Sequence, residues 1–386
     1  MYDVKHHLDI LCNYHDDLVD GKVVSMGSAG GFSGSSFWKV RGRSGRYCLR
    51  RWNAAYPTLE RLQFIHAVQW HARQEGFEKF PMPVETLEHM TLVADETNFW
   101  QLEPWLKGRP GTRCRMTSRR IVSAMMALAE FHQSVRFFPL ESSEGSSPTL
   151  LAQEKTLLEW SNARIQELQD KIEGSLHGVS ASAEGTETES TESTDALQNA
   201  LFVADLPESE YCWNLAQAAR MALVPCLGRT LRPEVQTLVL QTLDAAVRLR
   251  RLLMPQLIRC CNYTVAFQPC LGDIHVGHVF FMPHGVSGFI DFETLHADNV
   301  ATDVARLLGS MAGSDPLAWV LGLSAYQCVR RLREEELETV NLLRKSHLVV
   351  TALRWLDCVF SHGLPVCFSS GLVQRLVGLC EGLESL

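Results

Sequence analysis

The sequence predicts an α+β chain with two lobes, a small antiparallel β-sheet lobe at residues 1–105 and a larger, mainly helical lobe at residues 106–386. Three observations support this prediction. Short runs of β character, joined by turns rich in Gly and Ser, surround a single helical segment in the first lobe. Apolar residues recur at helical spacing after Gly108. A second strand-rich patch, Thr264–Phe292, interrupts these helices.

The first lobe is expected to open with a short amphipathic helix and to continue with strands on either side of one longer helix. The apolar spacing of Leu59, Leu62 and Ile65 predicts the longer helix, and Gly76 marks its expected end. The predicted elements are helix His6–Asp17, strands Lys22–Met26, Ser36–Arg41 and Arg46–Trp52, helix Pro57–Gln74, and strands Thr91–Asp95 and Asn98–Trp105.

The second lobe is expected to consist of helices on both sides of the strand-rich patch. Helices are predicted to resume at Val300 and to continue toward the end of the sequence. The predicted helices before the patch are Ser118–Val135, Pro148–Ile172, Pro207–Leu227 and Pro233–Arg259.

Residues 174–199 are predicted to form a disordered insert between helices. The segment is of low complexity, rich in Ser, Thr, Glu and Gly, and holds five acidic residues without a Lys or Arg. Such a segment buries too little apolar surface to offset the entropy of ordering. We expect its deletion to leave the melting temperature nearly unchanged in thermal denaturation. A loss of many degrees would mean that the segment packs against the rest of the protein.

Composition excludes several classes of protein. Apolar residues make up 46% of the 386 residues, as in an ordinary globular protein, and no apolar run is long enough to cross a bilayer. The N-terminal segment lacks the pattern of an export signal, so a cytoplasmic protein without a membrane partner is expected. The net charge is −8, of which the insert carries −5. A near-neutral remainder argues against nucleic-acid binding, and no obligate protein partner is evident.

The chemistry is expected at two carboxylates eighteen positions apart. Asp273 lies in Leu271–His278, which reads LGDIHVGH, and Asp291 lies in FIDF after a hairpin-like segment at residues 279–290. A hairpin returns the chain to where it left, so both carboxylates can face one space. Phosphoryl transfer needs one carboxylate for the attacking hydroxyl and another for the metal on the nucleotide phosphates. The ordinary alternative is two unrelated acids at strand ends.

This string resembles the catalytic segment of aminoglycoside phosphotransferases and their relatives, which include choline and homoserine kinases. Their segment runs His-Gly-Asp-x-His-x-x-Asn and is followed by Ile-Asp-Phe. The resemblance implies a two-lobed protein-kinase-like fold and transfer of a phosphoryl group from Mg²⁺-bound ATP, or GTP, to a hydroxyl group of a small molecule. It also implies that Asp273 is the catalytic base, Asp291 the main Mg²⁺ ligand, and position 278 a second metal contact.

Two residues depart from that pattern, namely Leu271 in place of His and His278 in place of Asn. Position 271 belongs to the scaffold of the loop. Position 278 matters more, because Mg²⁺ favours oxygen ligands. Three outcomes are open: a water lies between His278 and the metal, His278 contacts phosphate directly, or the site binds metal weakly.

Two further residues of the resemblance are expected to support the catalytic loop. Asp303 lies in the first turn of a predicted helix, where an acid is favoured by the helix dipole, and in the family the matching Asp braces the loop through its backbone. His132 ends a segment similar to the Leu-Ala-x-x-His helix end of the family. It is expected to pack beneath the loop without a chemical role.

A Gly-rich turn and a following cation are expected to bind the nucleotide phosphates. The turn, Gly27–Ser36, lets backbone N–H groups approach phosphate closely, and its expected contacts are Gly30, Gly31, Ser33 and Gly34. Related kinases place a cation on the next strand, usually Lys and sometimes Arg, and Arg50 matches that position best. Its acidic partner is left open between the positions of Glu60 and His66.

The segment Phe99–Gly108 is expected to be the hinge between the lobes. Backbone groups from Leu102 to Leu106 would pair with the adenine edge, which makes Glu103 and Trp105 candidate nucleotide contacts. A plain strand followed by a turn is the ordinary alternative.

A different function remains open, because Arg50, Leu271 and His278 each depart from the usual residue. The chain would then be an inactive relative that binds a nucleotide or another ligand. The presence of both Asp273 and Asp291 favours an enzyme. The sequence does not identify the acceptor.

Overall fold

The computed structural model describes residues 6–18, 22–27, 35–52, 57–177, 233–361 and 370–384. The chain divides into two compact units, Met1–Ser143 with Phe267–Leu332, and Glu144–Ala266 with Arg333–Leu386. The lobe boundary that the sequence predicts after residue 105 lies inside the first unit. The assignment of nucleotide binding and catalysis to separate lobes stays a prediction.

Helices and short strands alternate along the described residues. The helices are α1 His6–Leu11, α2 Leu59–Gln74, α3 Ser118–Ser134, α4 Pro148–Glu159, α5 Asn162–His177, α6 Pro233–Cys261, α7 Ala301–Ala312, α8 Pro316–Gln327, α9 Glu334–Ser361 and α10 Ser370–Glu384. The strands are β1 Lys22–Gly27, β2 Ser36–Arg41, β3 Arg46–Arg51, β4 Val93–Ala94, β5 Phe99–Pro104, β6 Arg109–Pro110, β7 Glu144–Gly145, β8 Val265–Ala266, β9 Gln268–Cys270, β10 Val279–Met282, β11 Gly285–Phe289 and β12 His296–Asp298.

A five-stranded antiparallel sheet of order β1-β2-β3-β5-β4 forms the N-terminal part of the first unit. One face is apolar, where Val40, Leu49 and Leu102 pack with Ile10 and Leu11 of α1 in a buried cluster. Residues directly opposite each other on paired strands share a face. The second face therefore carries the row Phe37–Arg50–Gln101 and, next to it, the row Lys39–Cys48–Glu103. We call it the charged face.

Buried phenylalanines anchor the hairpin of β10 and β11 to the first unit. Phe289 and Phe292, on either side of Asp291, are 0% and 6% exposed. Phe289 stacks on Phe77 with ring centroids 6.1 Å apart, and Phe292 meets Phe80 edge-on at 5.6 Å. Side chains of this size dominate core energetics, so the backbone of Asp291 is held between two fixed points.

The second unit is mainly helical and contains α4, α5, α6, α9 and α10 with the short β7–β8 pair. The sequence predicts a single helix at Pro148–Ile172, and this is wrong. The helix breaks at Trp160, whose side chain is buried. The Oγ of Ser161 then accepts a hydrogen bond from the N–H of Arg164 at 3.2 Å and starts α5, as an N-cap residue does.

The helix predicted at His6–Asp17 is also shorter than expected. It ends at Leu11, because the side-chain amide of Asn13 donates to the carbonyl oxygen of Ile10 at 2.9 Å and diverts the chain. A separate 3-10 turn follows at Asp16–Leu18.

The α+β class, with an antiparallel sheet followed by a mostly helical remainder, is confirmed. The predicted helix Pro207–Leu227 and residues 178–199 of the insert lie outside the described residues, whereas residues 174–177 form the end of α5. In the part of the chain that the structure describes, no helix is long and apolar enough to cross a membrane.

Candidate active site

The loop between β9 and β10 carries Asp273 and is braced by the carboxylate of Asp303. The N–H groups of Leu271 and Gly272 donate to its two oxygens, at 2.6 and 2.9 Å. Gly272 has φ +78°, and a Cβ there would lie 2.6 Å from the carbonyl oxygen of Thr294. That position therefore requires glycine. The prediction that Asp303 supports the loop through its backbone is confirmed.

A buried polar network holds Asp303 in turn. His132 Nε2 lies 3.1 Å from Asp303 Oδ2, and His132 Nδ1 lies 2.7 Å from the hydroxyl of Tyr326. All three residues are fully buried. A satisfied buried network of this kind fixes one arrangement of its members. His132 thus packs beneath the loop, as the sequence predicts.

Arg306 is a functional candidate that the sequence analysis missed. It lies three residues after Asp303 on α7, and residues at this spacing share a helix face. Its guanidinium forms an ion pair with Oδ1 of Asp273. The same helix therefore braces the loop backbone and orients the Asp273 carboxylate. The Asp-x-x-Arg spacing was the available signal.

The β10–β11 hairpin returns the chain so that Asp291 lies beside His278. Val279 pairs with Phe289, and the N–H of Ile290 donates to the carbonyl oxygen of His278 at 3.0 Å. Asp291 then adopts φ +67°, which is uncommon for a residue with a side chain and recurs at functional sites. Its Oδ2 lies 3.6 Å from His278 Nε2.

The imidazole of His278 also contacts the Asp273 loop. Its Nδ1 lies 2.9 Å from the carbonyl oxygen of Asp273, and its ring packs on that of His275 with centroids 3.7 Å apart. The structure therefore brings Asp273 and Asp291 to one ring, as the hairpin between them predicts.

Arg50 lies on the charged face of the sheet and is only 7% exposed. Its guanidinium lies 2.5 Å from Glu293 Oε2 and 3.6 Å from Asp291 Oδ1. The Trp52 ring lies 3.4 Å from the guanidinium carbon. A buried guanidinium requires such neighbours, because an uncompensated buried charge is strongly destabilising.

Glu293 is therefore the acidic partner of Arg50 in this structure, and neither candidate from the sequence has that place. Glu60 is exposed at the start of α2. His66 lies 2.8 Å from Thr91 Oγ1 and 3.0 Å from Gln101 Oε1. The available signal was an acid two positions after Asp291.

The electrostatic balance at Asp291 favours the carboxylate. Burial raises the pKa of this carboxyl group, but the Arg50 guanidinium, the neighbouring His278 and His275 side chains and a hydrogen bond from the Glu293 backbone together lower it by more, so the net shift is downward. An ionised Asp291 is the form that binds a cation.

Glu103 extends the charged face beyond Arg50. It lies directly opposite Cys48 on β3, and its Oε2 accepts a hydrogen bond from Gln101 Nε2 at 3.1 Å. Burial raises the pKa of Glu103 to about 7, although Arg50 opposes the shift. The sequence analysis assigned only backbone groups to this position, so a titrating side chain here is a finding.

We expect Glu103→Gln to stabilise the protein at high pH relative to low pH. Because the pKa of Glu103 is higher in the folded than in the unfolded protein, its contribution to the free energy of unfolding decreases as the pH rises from about 4.5 to about 7. Above pH 7 the ionised, buried carboxylate destabilises the fold by its full amount. The advantage of the variant in free energy of unfolding should thus grow by about 2 kcal/mol from pH 5 to pH 8.5. Urea denaturation at both pH values measures it.

The matched control is Glu60→Gln, since the pKa of Glu60 is lowered by its own backbone and Thr58 and lies below this window. Its effect on stability should not change between pH 5 and pH 8.5. An equal effect of the two variants would contradict the expectation.

The predicted phosphate contacts Gly30, Gly31, Ser33 and Gly34 lie outside the described residues. The ends of the turn are described. Gly27 of β1 pairs with Phe37 of β2, so the turn closes a hairpin. Ser35, near the end of the turn, is buried, and its Oγ lies 3.4 Å from Nη2 of Arg50. The turn therefore ends beside the Arg50 guanidinium, and the sequence predicts that both bind the nucleotide phosphates.

Some backbone groups of the predicted hinge already form hydrogen bonds within the first unit. The N–H of Trp105 donates to the carbonyl oxygen of Arg46 at 2.8 Å, and the carbonyl oxygen of Leu102 accepts from Val84 at 2.8 Å. Two of the backbone groups assigned to adenine are thus engaged. The ring of Trp105 lies 4.6 Å from Lys39 Nζ. Base binding by the remaining groups stays a prediction.

A basic cavity of about 790 Å³ opens along β1, β2 and the turn from β2 to β3. Its cationic lining residues are Lys22, Lys39, Arg41, Arg43 and Arg46. Arg41 pairs with Lys22 on one side and with Arg46 on the other, so the strand register gathers charges that are dispersed in the sequence. Such a concave cluster attracts anions. The near-neutral composition concealed it.

The side-chain oxygen and nitrogen atoms beside the hairpin could bind a divalent cation. Asp291 Oδ2 and His278 Nε2 face each other at 3.6 Å. Asp273, His275 and His278 also offer ligand atoms that lie within 4.8 Å of one another. Carboxylate and imidazole are the usual protein ligands of divalent ions. Asp291 and His278 would hold such an ion.

Comparison with known proteins identifies a family for this sequence. The sequence model described as the phosphotransferase enzyme family matches residues 27–338. No curated protein matches the chain in sequence.

Among solved structures, an amicoumacin kinase in complex with AMP-PNP and Ca²⁺ is similar with a TM-score of 0.56 and 12% identity, over 99% of this chain and 93% of that one. A spectinomycin phosphotransferase in complex with ADP and spectinomycin is similar with a TM-score of 0.53 and 12% identity, over 99% and 98%. At this identity the likeness shows the fold alone, and it confirms the kinase-like architecture that the resemblance implies.

Proposed function

The chain belongs to the phosphotransferase enzyme family, and from this premise we propose that it transfers the γ-phosphoryl group of ATP, or GTP, to a hydroxyl group of a small molecule. The observation that carries the proposal is the contact series Arg50–Asp291–His278–Asp273. It joins a cation for phosphate and two ligands for a metal, and it reaches the backbone carbonyl oxygen of Asp273, the residue whose carboxylate is proposed to act on the acceptor. These are the parts that phosphoryl transfer requires.

Asp273 is the proposed base. Its carboxylate orients the acceptor hydroxyl and accepts its proton as the oxygen bonds to the γ-phosphorus, while the bond from that phosphorus to the β,γ-bridging oxygen breaks and the nucleoside diphosphate leaves. Arg306 is a positioning residue, since its ion pair with Oδ1 holds the carboxylate in one orientation.

Asp291 and His278 are the proposed ligands of the divalent cation, for which Mg²⁺ is the expectation from the family. When bound, the cation neutralises charge on the nucleotide phosphates. Arg50 is proposed to contact the α- and β-phosphates, with backbone N–H groups of the Gly-rich turn. The planar Arg50 guanidinium has several N–H donors, so phosphate oxygens would share it with Glu293.

The test is a screen of hydroxyl compounds, including sugars, amino alcohols and aminoglycosides, for stimulated nucleotide turnover by the full chain. We expect at least one compound to give a phosphorylated product, detected by mass spectrometry. The Asp273→Asn variant serves as the control and should form product at least about 100-fold more slowly. Nucleotide binding without turnover across the screen would count against the enzyme.

The second candidate is a nucleotide- or ligand-binding relative without activity. Two observations favour it: Arg50 and Asp273 are both engaged in ion pairs, and residue 278 departs from the family pattern. Calorimetry with nucleotide and a divalent cation separates the candidates in combination with the screen. Binding that is independent of the cation, without turnover, would favour the binding module.

A further inference from the structure

The tautomer of His278 is determined by its neighbour. Its Nδ1 lies 2.9 Å from the carbonyl oxygen of Asp273. A carbonyl oxygen only accepts hydrogen bonds, so Nδ1 must carry a proton. In the neutral ring the lone pair is then on Nε2, which is the nitrogen that faces Asp291.

The pair of His278 Nε2 and Asp291 Oδ2 has the spacing of two ligands on one metal ion. Their separation is 3.6 Å, too long for a hydrogen bond, and in the neutral ring both atoms are acceptors. Two ligands at about 2.1 Å from one ion lie about 3.0 Å apart at a right angle and about 3.4 Å apart at a tetrahedral angle. The observed separation lies within a few tenths of an ångström of this range.

The surroundings of the ring are those of a metal-binding histidine. Such a residue almost always donates its other ring N–H to a carbonyl or carboxylate, which orients it and raises its basicity. His278 has this donor bond to Asp273, and its ring packs against His275 at 3.7 Å. Asp291 is held between buried phenylalanines and directs its other oxygen toward Arg50. Both ligands are therefore preorganised.

The chemical consequence concerns the choice of metal. Mg²⁺ favours oxygen ligands, whereas first-row transition ions accept imidazole nitrogen readily. We propose that the site formed by Asp291 and His278 binds a first-row transition ion more tightly than Mg²⁺. Mn²⁺, the weakest binder of that series, is the most stringent probe of this preference. The inference rests on the proposed function in one respect: the function places this ion beside a nucleotide. The metal preference itself does not depend on it.

The rival state is a protonated His278 ring in an ion pair with Asp291, without a role in metal binding. The two states differ in one observable. Direct coordination couples the unpaired electrons of Mn²⁺ to the ¹⁴N nucleus of imidazole, and an ion pair does not.

The experiment titrates the full chain with Mn²⁺ alone and with Mg²⁺ alone by calorimetry, and records pulsed EPR spectra of the Mn²⁺ complex. We expect wild-type protein to bind Mn²⁺ at least tenfold more tightly than Mg²⁺ and to show ¹⁴N coupling. His278→Asn should remove the coupling and reduce the Mn²⁺ preference about tenfold, since the Asn amide offers oxygen. Thermal denaturation checks that the variant is folded.

The matched control is His284→Asn, the same substitution in the exposed turn of the same hairpin. It should change neither the coupling nor the preference. The inference is overturned by Mn²⁺ binding without ¹⁴N coupling, by an unchanged preference in His278→Asn, or by the absence of metal binding at millimolar concentration.

Failure of the proposed function is distinguishable from failure of the inference. A chain that coordinates Mn²⁺ through His278 but phosphorylates no acceptor contradicts only the function. If the chain is an active kinase but the Mn²⁺ complex shows no ¹⁴N coupling, and Mn²⁺ in place of Mg²⁺ leaves its activity unchanged, only the inference is contradicted.

Discussion

Asp291→Asn is expected to weaken cation-dependent nucleotide binding about 100-fold or more, whereas Asp273→Asn is expected to leave it within about threefold. A metal ligand acts in the ground state. A catalytic base acts mainly in the transition state, so its loss should instead lower kcat by about 10²–10⁴-fold. Calorimetry with ATP and the divalent cation measures the first quantity, and turnover of an identified acceptor measures the second.

The Asn substitution isolates the charge of Asp291 from its backbone. Asn tolerates φ +67° as well as Asp does, so the variant adds no strain at this position. Nucleotide binding without added cation provides the control and should change little. If Asp273→Asn weakens nucleotide binding more than Asp291→Asn does, the assignment of the two carboxylates is reversed.

Asp303→Ala is expected to produce the largest loss of stability, about 3–5 kcal/mol in the free energy of unfolding. The fully buried carboxylate accepts from the N–H groups of Leu271 and Gly272 and contacts His132 Nε2. Its removal leaves buried donors without their acceptor, which costs more than the hydrogen bonds contributed. Urea denaturation measures the loss.

The matched control is Asp315→Ala. Asp315 also accepts from two backbone N–H groups, those of Leu317 and Ala318, but it is an exposed N-cap of α8. Water can replace the lost acceptor there, so the expected cost is about 1 kcal/mol. Similar losses in both variants would show that burial of the Asp303 network adds nothing to its stability.

The elements with the strongest local signals were predicted well. The strand at Ser36–Arg41 agrees with the structure at both ends, and α2 begins two residues after its predicted start. Alternation of side chains and helical spacing are local properties of the chain, so they can be read without knowledge of its partners. The break at Trp160 was missed although Ser161, which caps α5, was a local signal for a new helix.

Sequence alone determined which residues bear the candidate chemistry, because Asp273, His278 and Asp291 belong to one hairpin unit whose turn dictates that its ends meet. Tertiary structure alone decided their partners. Glu293 reaches Arg50 across 243 positions, and Arg306 reaches Asp273 across 33. The physical reason is that a hairpin is closed by local turn geometry, whereas an ion pair between distant segments forms only where the packing of the folded chain brings them together.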